Sequence, residues 1–152
     1  MITEATIEAQ INRLESGNFA EDLKQFSDAQ PYLMDYLSGE DTGAFMDTEQ
    51  ELLFFASLVI HHAIQAEYGP QPVVDGDKIA QREEAIFSLL QDQPAKAFRD
   101  RITPFFEQTQ EEDLLAFIED ILIADEETGI TKEGREPLFV ILKTCMEVLL
   151  GD

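Results

Sequence analysis

The sequence predicts an all-α fold, a single-domain antiparallel bundle of about six to seven helices that spans residues 1–152. Apolar residues recur at intervals of three and four along most of the chain, which is the spacing of one helix face. Gly, Pro and capping residues separate these stretches by short loops, which favours antiparallel neighbours. The one β-like fragment, residues 72–74, is too short to form a sheet and has no partner stretch.

The stretch 51–68 predicts a buried central helix, because apolar side chains occupy nearly every direction around its axis. Thr48 and Glu51 match the capping box T-x-x-E, and Gly69 ends the stretch. We therefore expect a central helix at about residues 48–68, packed on the C-terminal helix, which is the other strongly apolar segment.

The remaining helices follow from their own start and stop signals. In chain order they are expected at 3–16, 19–26, 32–37, 77–91, 94–102, 109–124 and from about 131 to 150. Pro104 is expected to restart the chain after the helix that opens at Pro94. Pro137 predicts either a separate turn over 131–136 or a kink in the last helix.

The charge restricts the function classes. The chain has 32 acidic and 10 basic residues, a formal net charge of −22. A surface of this sign disfavours direct binding to nucleic acid or to anionic membranes, and it favours basic partners. We find no secretory signal and no apolar stretch long enough to cross a bilayer, and the single Cys145 fits a reducing compartment, so a cytoplasmic protein is expected.

Two histidines, His61 and His62, are the only imidazoles in the chain. Adjacent helical residues point about 100° apart, so the two cannot ligate one metal ion from a regular helix. His61 shares a narrow polar seam with Ser57 and Gln65, spaced four apart. A metal site at His61 would need carboxylates from other helices, and we expect no cofactor.

The acidic loop that begins at Asp125 invites comparison with a calcium-binding EF-hand loop. Counted from Asp125, Glu127 is third and Glu136 is twelfth, as the motif requires. Gly129, however, is fifth where the motif needs glycine sixth. His61, Asp125, Glu127 and Glu136 are therefore the candidate metal ligands, without a complete motif.

Three functions remain open at this stage. The first is a non-enzymatic interaction module that binds another protein or itself, because Phe139, Met146 and Leu150 form an apolar strip in excess of what one partner helix can cover. That strip would be the interface of a homodimer. The second is a small metal-dependent or carboxylate/His enzyme that uses a site near His61. The third is an acidic inhibitor that mimics DNA, suggested by the charge alone.

Overall fold

The computed structural model describes residues 1–123 and 127–151, with Glu40 and Asp41 described by their backbone alone. Over these residues the fold is an all-α single domain without strands, so the predicted fold class is confirmed. It contains eight α-helices, more than the six to seven predicted, because each of the short predicted stretches forms a helix of its own, and a short 3-10 helix, Glu40–Ala44. The α-helices are α1 (Glu4–Ser16), α2 (Phe19–Ala29), α3 (Pro31–Leu37), α4 (Asp47–Tyr68), α5 (Gly76–Gln91), α6 (Phe98–Gln108), α7 (Glu112–Ile121) and α8 (Lys132–Leu150).

The two most apolar helices, α4 and α8, pack against each other as predicted. Their direction differs from the expected antiparallel arrangement. Glu49 near the start of α4 binds Thr131, which caps the start of α8, while Tyr68 and Leu150 at the two C-terminal ends line one cleft. The pair is therefore parallel. Short loops predict antiparallel packing only for helices that are consecutive in the chain, and three other helices separate α4 from α8.

Antiparallel contacts surround this parallel pair. Arg82 near the start of α5 pairs with Glu147 near the end of α8, and Gln91 lies in one groove with Lys132 at the other end of the pair. On the opposite side of the core, α1 runs antiparallel to α4. The Met1 ammonium lies 3.2 Å from Glu67, and Arg13 lies beside His62.

The start of α4 corrects the predicted capping box. The helix begins at Asp47, and the Glu49 carboxylate accepts the Met46 backbone N–H at 3.0 Å. The Thr48 hydroxyl instead donates to the Gly129 carbonyl, which anchors the loop before α8 to α4. The contact with Thr131 holds Glu49 where it accepts the Met46 amide, so the helix begins one residue before Thr48.

The internal prolines do not divide their helices. α6 starts at Phe98, not at Pro94, and it continues through Pro104 to Gln108. α8 likewise includes Pro137 in its second turn, so 131–136 is not a separate turn. Each proline costs its helix one backbone hydrogen bond, because Pro104 and Pro137 both lie beyond the first four residues, whose amides have no helical partner in any case.

None of the helices that the structure describes has the length and apolar character needed to cross a membrane.

Candidate functional site

An apolar groove lies on the surface where α5 packs beside the N-terminal half of α8. We call it the apolar groove, and its volume is about 700 Å³. Its floor and walls are apolar side chains from α5, α8 and the segment before α4: Phe45, Phe87, Leu90, Pro137, Val140 and Ile141. Leu90, Val140 and Ile141 belong to the buried core, so the groove exposes the edge of that core to solvent.

Phe87 is the most exposed aromatic side chain of the apolar groove. From its apolar character and its place between Ile86 and Leu90, Phe87 is expected on the buried face of α5, but it is 53% exposed, so that expectation is wrong. α8 packs against α5 along the face that holds Ile79, Ile86 and Leu90, and Phe87 lies at the edge of that face. An exposed aromatic beside a concave apolar surface is typical of a protein-binding site.

The rim of the apolar groove is acidic. Glu83 and Glu84 from α5 and Glu133 and Glu136 from α8 line it, against the single basic residue Lys132. Two of the four carboxylates have structural partners: Glu83 accepts the Tyr36 hydroxyl, and Glu136 pairs with Arg101 at 3.1 Å. Glu84 and Glu133 are exposed, so the rim presents carboxylates to solvent on both sides of an apolar floor.

A second concavity, which we call the polar cleft, lies on the other side of the α5–α8 pair and has a volume of about 750 Å³. One wall carries Arg82 from α5 and Lys143 from α8, which flank Glu147 at 3.8 and 3.5 Å. The other wall carries Glu111, just before α7, and Tyr68 at the end of α4. Charged groups of both signs therefore face one small volume.

The charged groups of the polar cleft are held rigidly. Lys143 is 5% exposed and Glu111 is 6% exposed. Glu111 accepts the backbone N–H of Ile2 at 2.8 Å and the hydroxyl of Tyr68. A buried charge needs such partners: Glu147 pairs with Lys143, and two hydrogen-bond donors bind Glu111.

His61 is enclosed by apolar and aromatic neighbours. Its ring packs edge-to-face on Phe26 at a centroid distance of 5.1 Å and lies 5.3 Å from the His62 ring. Burial, with a smaller contribution from His62, lowers the pKa of His61 to about 4. The imidazole is thus neutral at physiological pH.

The candidate metal ligands that the structure describes lie in different parts of the fold. Asp125 lies outside the described residues, Glu127 is exposed in the turn before α8, and Glu136 belongs to the rim of the apolar groove. In the part of the chain that the structure describes, no group of three or more His, Cys, Asp or Glu side chains is placed to hold a metal ion. His61 packs against α2, whereas Glu136 pairs with Arg101 of α6.

The predicted apolar strip is not a surface. Phe139 and Met146 are fully buried within the single chain, and Leu150 is half-buried in the polar cleft. α6 covers the face that the sequence left without a partner, because Phe98 and Phe105 pack edge-to-face on Phe139 at 5.9 and 5.1 Å. The prediction of an exposed strip at these residues is therefore wrong.

Cys145 is buried where α8 meets α4, as a small apolar side chain. Burial raises the pKa of its thiol to about 12, and the adjacent Ser57 hydroxyl only partly offsets this rise. The thiolate is the nucleophilic form of cysteine, so Cys145 is unreactive at neutral pH.

The apolar groove and the polar cleft were both missed by the sequence reasoning. The signal for the groove is present in α5, where apolar residues such as Phe87 and Leu90 lie on two faces of the helix. The acidic pair Glu83 and Glu84 precedes them. The signal for the cleft is Lys143, a basic residue within the most apolar segment of the chain. A charge at a core position indicates either a buried ion pair or a site.

No known protein family, curated protein or solved structure matches this chain.

Proposed function

We propose that this chain is a protein-binding module whose apolar groove receives the apolar face of a basic amphipathic helix from a partner protein. The observation that carries the proposal is the combination of an apolar floor with an acidic rim in a chain of net charge −22. Helix-in-groove recognition uses this arrangement, with apolar anchors in the groove and charged residues along its edge.

The apolar part of the groove supports a helix as ligand. Phe87 stands at the edge of a floor formed by Leu90, Val140 and Ile141, and it is positioned to pack on an anchor side chain. Exposed aromatic side chains near the centre of an interface contribute a large share of its binding energy. The groove volume of about 700 Å³ is sufficient for a few apolar side chains from successive helical turns.

The charge of the rim selects the partner. Glu84 and Glu133 meet solvent on opposite sides of the floor, so lysine or arginine side chains that flank the apolar face of a ligand helix would meet carboxylates. A second copy of this chain would instead bring like charges into contact. The charge therefore favours a basic partner over self-association through this groove.

A fluorescent amphipathic helical peptide of leucine and lysine, titrated with the protein, tests the proposal by anisotropy. We expect saturable binding that weakens as salt is added. Phe87→Ser should weaken binding by about tenfold or more. Phe19→Ser is the matched control, because Phe19 is a similarly exposed aromatic (39%) on α2, outside the groove.

A second pair of variants separates the rim from the overall charge. Glu84→Gln with Glu133→Gln and the control Glu8→Gln with Glu15→Gln remove two exposed carboxylates each, so both proteins have the same net charge. We expect the rim variant alone to bind the peptide clearly more weakly. Equal losses in the two variants would show non-specific attraction and contradict the proposal. The proposal is also contradicted if the peptide does not bind and the protein changes its own oligomeric state instead.

A further inference from the structure

We infer that Glu83 and Glu136 set the sequence pattern of the partner helix in the apolar groove. The pattern is two basic residues five or six positions apart, one on each flank of the apolar face. The inference rests on the helix-binding function proposed above and goes beyond it, because net charge alone requires no spacing. It is carried by the fixed orientation of the two carboxylates and by their places at opposite ends and on opposite walls of the groove.

Glu83 is held on the α5 wall of the apolar groove. Its Oε2 accepts the hydroxyl of Tyr36, a half-buried side chain of α3. Its Oε1 has no hydrogen bond or ion pair with any residue that the structure describes, so it is an acceptor for a ligand. A carboxylate that is already oriented loses less side-chain entropy on binding a lysine or arginine than a freely rotating one does.

Glu136 is held in a similar way on the α8 wall. Its Oε2 lies 3.1 Å from Nε of Arg101, whose side chain is 15% exposed. Arg101 is itself fixed, because its guanidinium donates to the carbonyl oxygens of Leu90 at 3.0 Å and Gln93 at 2.9 Å. Oε1 of Glu136 also has no partner among the described residues. Since Arg101 offsets part of its charge, Glu136 should contribute less to binding than Glu83.

The two carboxylates lie at opposite ends of the apolar groove. One guanidinium, that of Arg101, contacts both Glu136 and the carbonyl of Leu90, so Glu136 lies close to Leu90. Glu83 precedes Leu90 by two turns of α5, which is roughly 10 Å along the helix axis. The two also stand on different walls, so a helix that lies between the walls meets them with its two flanks.

Helical geometry converts this arrangement into a sequence pattern. Residues five or six positions apart on a helix point roughly 120–140° away from each other and lie about 7.5–9 Å apart along the axis. They therefore flank an apolar face on opposite sides, and the two spacings correspond to the two directions of the ligand helix in the groove. Residues seven positions apart lie on the same side. The long side chains of lysine and arginine span the remaining distance.

Isomeric helical peptides test the inference by fluorescence anisotropy. Three peptides share the same leucine anchors and two lysines, and the lysines are five, six or seven positions apart. We expect the better of the first two to bind about tenfold more tightly than the third, a difference of ~1.4 kcal/mol. Because the isomers have one composition, net charge cannot produce this difference. Equal binding of all three would overturn the inference and leave the proposed function intact, whereas no binding of any would overturn both.

A double-mutant cycle assigns each lysine to its carboxylate. Glu83→Gln keeps an acceptor for the Tyr36 hydroxyl, and it is combined with replacement of each peptide lysine by glutamine in turn. We expect coupling to one lysine for Glu83→Gln and weaker coupling to the other for Glu136→Gln. Glu84→Gln, an exposed neighbour on the rim, should weaken the peptides without preferring either lysine. Coupling that is equal for both lysines in all three variants would overturn the inference.

Tyr36 is a positioning residue, which Tyr36→Phe tests by removing the hydroxyl that holds Glu83 and leaving every charge in place. We expect the preference among the isomers to fall by about threefold, the cost of ordering one free side chain. Tyr32→Phe is the matched control, because it removes a hydroxyl from a 53% exposed ring on the same helix, and it should leave the preference unchanged. If Tyr36→Phe weakens all isomers alike, its role is structural and the positioning by Tyr36 is overturned.

Discussion

The Glu49 carboxylate of α4 binds the residue that caps α8. Its Oε2 accepts the backbone N–H of Thr131 at 3.0 Å and the Thr131 hydroxyl at 2.9 Å, while Oε1 accepts the Met46 N–H. Thr131 in turn accepts the Gly134 N–H in the first turn of α8. One buried carboxylate therefore fixes the start of both core helices and the parallel direction of the pair.

Glu49→Gln should destabilise the fold by about 2 kcal/mol at neutral pH, because an amide cannot accept hydrogen bonds on both sides. Burial alone would raise the pKa of the Glu49 carboxyl, but the hydrogen bonds from Thr131 and Met46 outweigh burial and lower it. A lowered folded-state pKa stabilises the fold above the unfolded value and loses this contribution as the pH falls through the folded value. Urea unfolding of both proteins across the acid range should therefore show the difference shrinking below about pH 4.5. Glu51→Gln, exposed on the same helix, should show no such difference.

Gly134→Ala should destabilise the fold although alanine favours helices. A Cβ at this position would overlap Glu49 Oε2 and lie 3.0 Å from Thr131 Oγ1, so the carboxylate would have to move. We expect a loss of about 1–3 kcal/mol in thermal or urea unfolding. Gly76→Ala in the first turn of α5 is the matched control, since nothing lies within 4 Å of its Cβ. It should be neutral or stabilise by up to about 1 kcal/mol. Equal behaviour of the two variants would contradict the proposed role of Glu49.

The fold class could be predicted from the sequence, because the local spacing of apolar residues indicates helices. The apolar character of 51–68 and of the last helix predicted that α4 and α8 would pack together. Their parallel direction was not predictable, since it depends on contacts such as Glu49–Thr131 between residues 82 positions apart. The predicted capping box at Thr48 and Glu51 failed, because Glu49, which is bound to Thr131, accepts the Met46 amide instead.

The candidate sites were less predictable for the same reason. The sequence correctly indicated that α8 has more apolar residues than one partner helix can cover. It could not indicate that Phe98 and Phe105 of α6 would cover Phe139. Both concavities arise between α5 and α8, whose facing residues lie about 40 to 65 positions apart. The local pattern records which residues are apolar, but not which helix covers them.

His61 should titrate far below an ordinary histidine. Its pKa is lowered to about 4 from 6.5, chiefly by burial. Because the folded state resists protonation, stability should fall as the pH drops from about 6.5 to about 4, by up to about 3 kcal/mol. With two histidines in the chain, the imidazole C–H resonances can be assigned with a His62→Asn variant and followed by NMR. Titration of His61 near 6.5 would contradict its enclosed environment.

Phe139→Ala should act on folding and not on assembly. Removing a ring that packs on Phe98 and Phe105 leaves a cavity between α6 and α8, with an expected loss of about 3–5 kcal/mol. Phe19→Ala at the surface should lose less than about 0.5 kcal/mol. Protein concentration separates the two explanations. If Phe139 lies within one chain, the loss measured by urea unfolding stays constant from low to high micromolar protein. If it lay in a dimer contact, the stability of the unaltered protein would increase with concentration and the variant would not follow it.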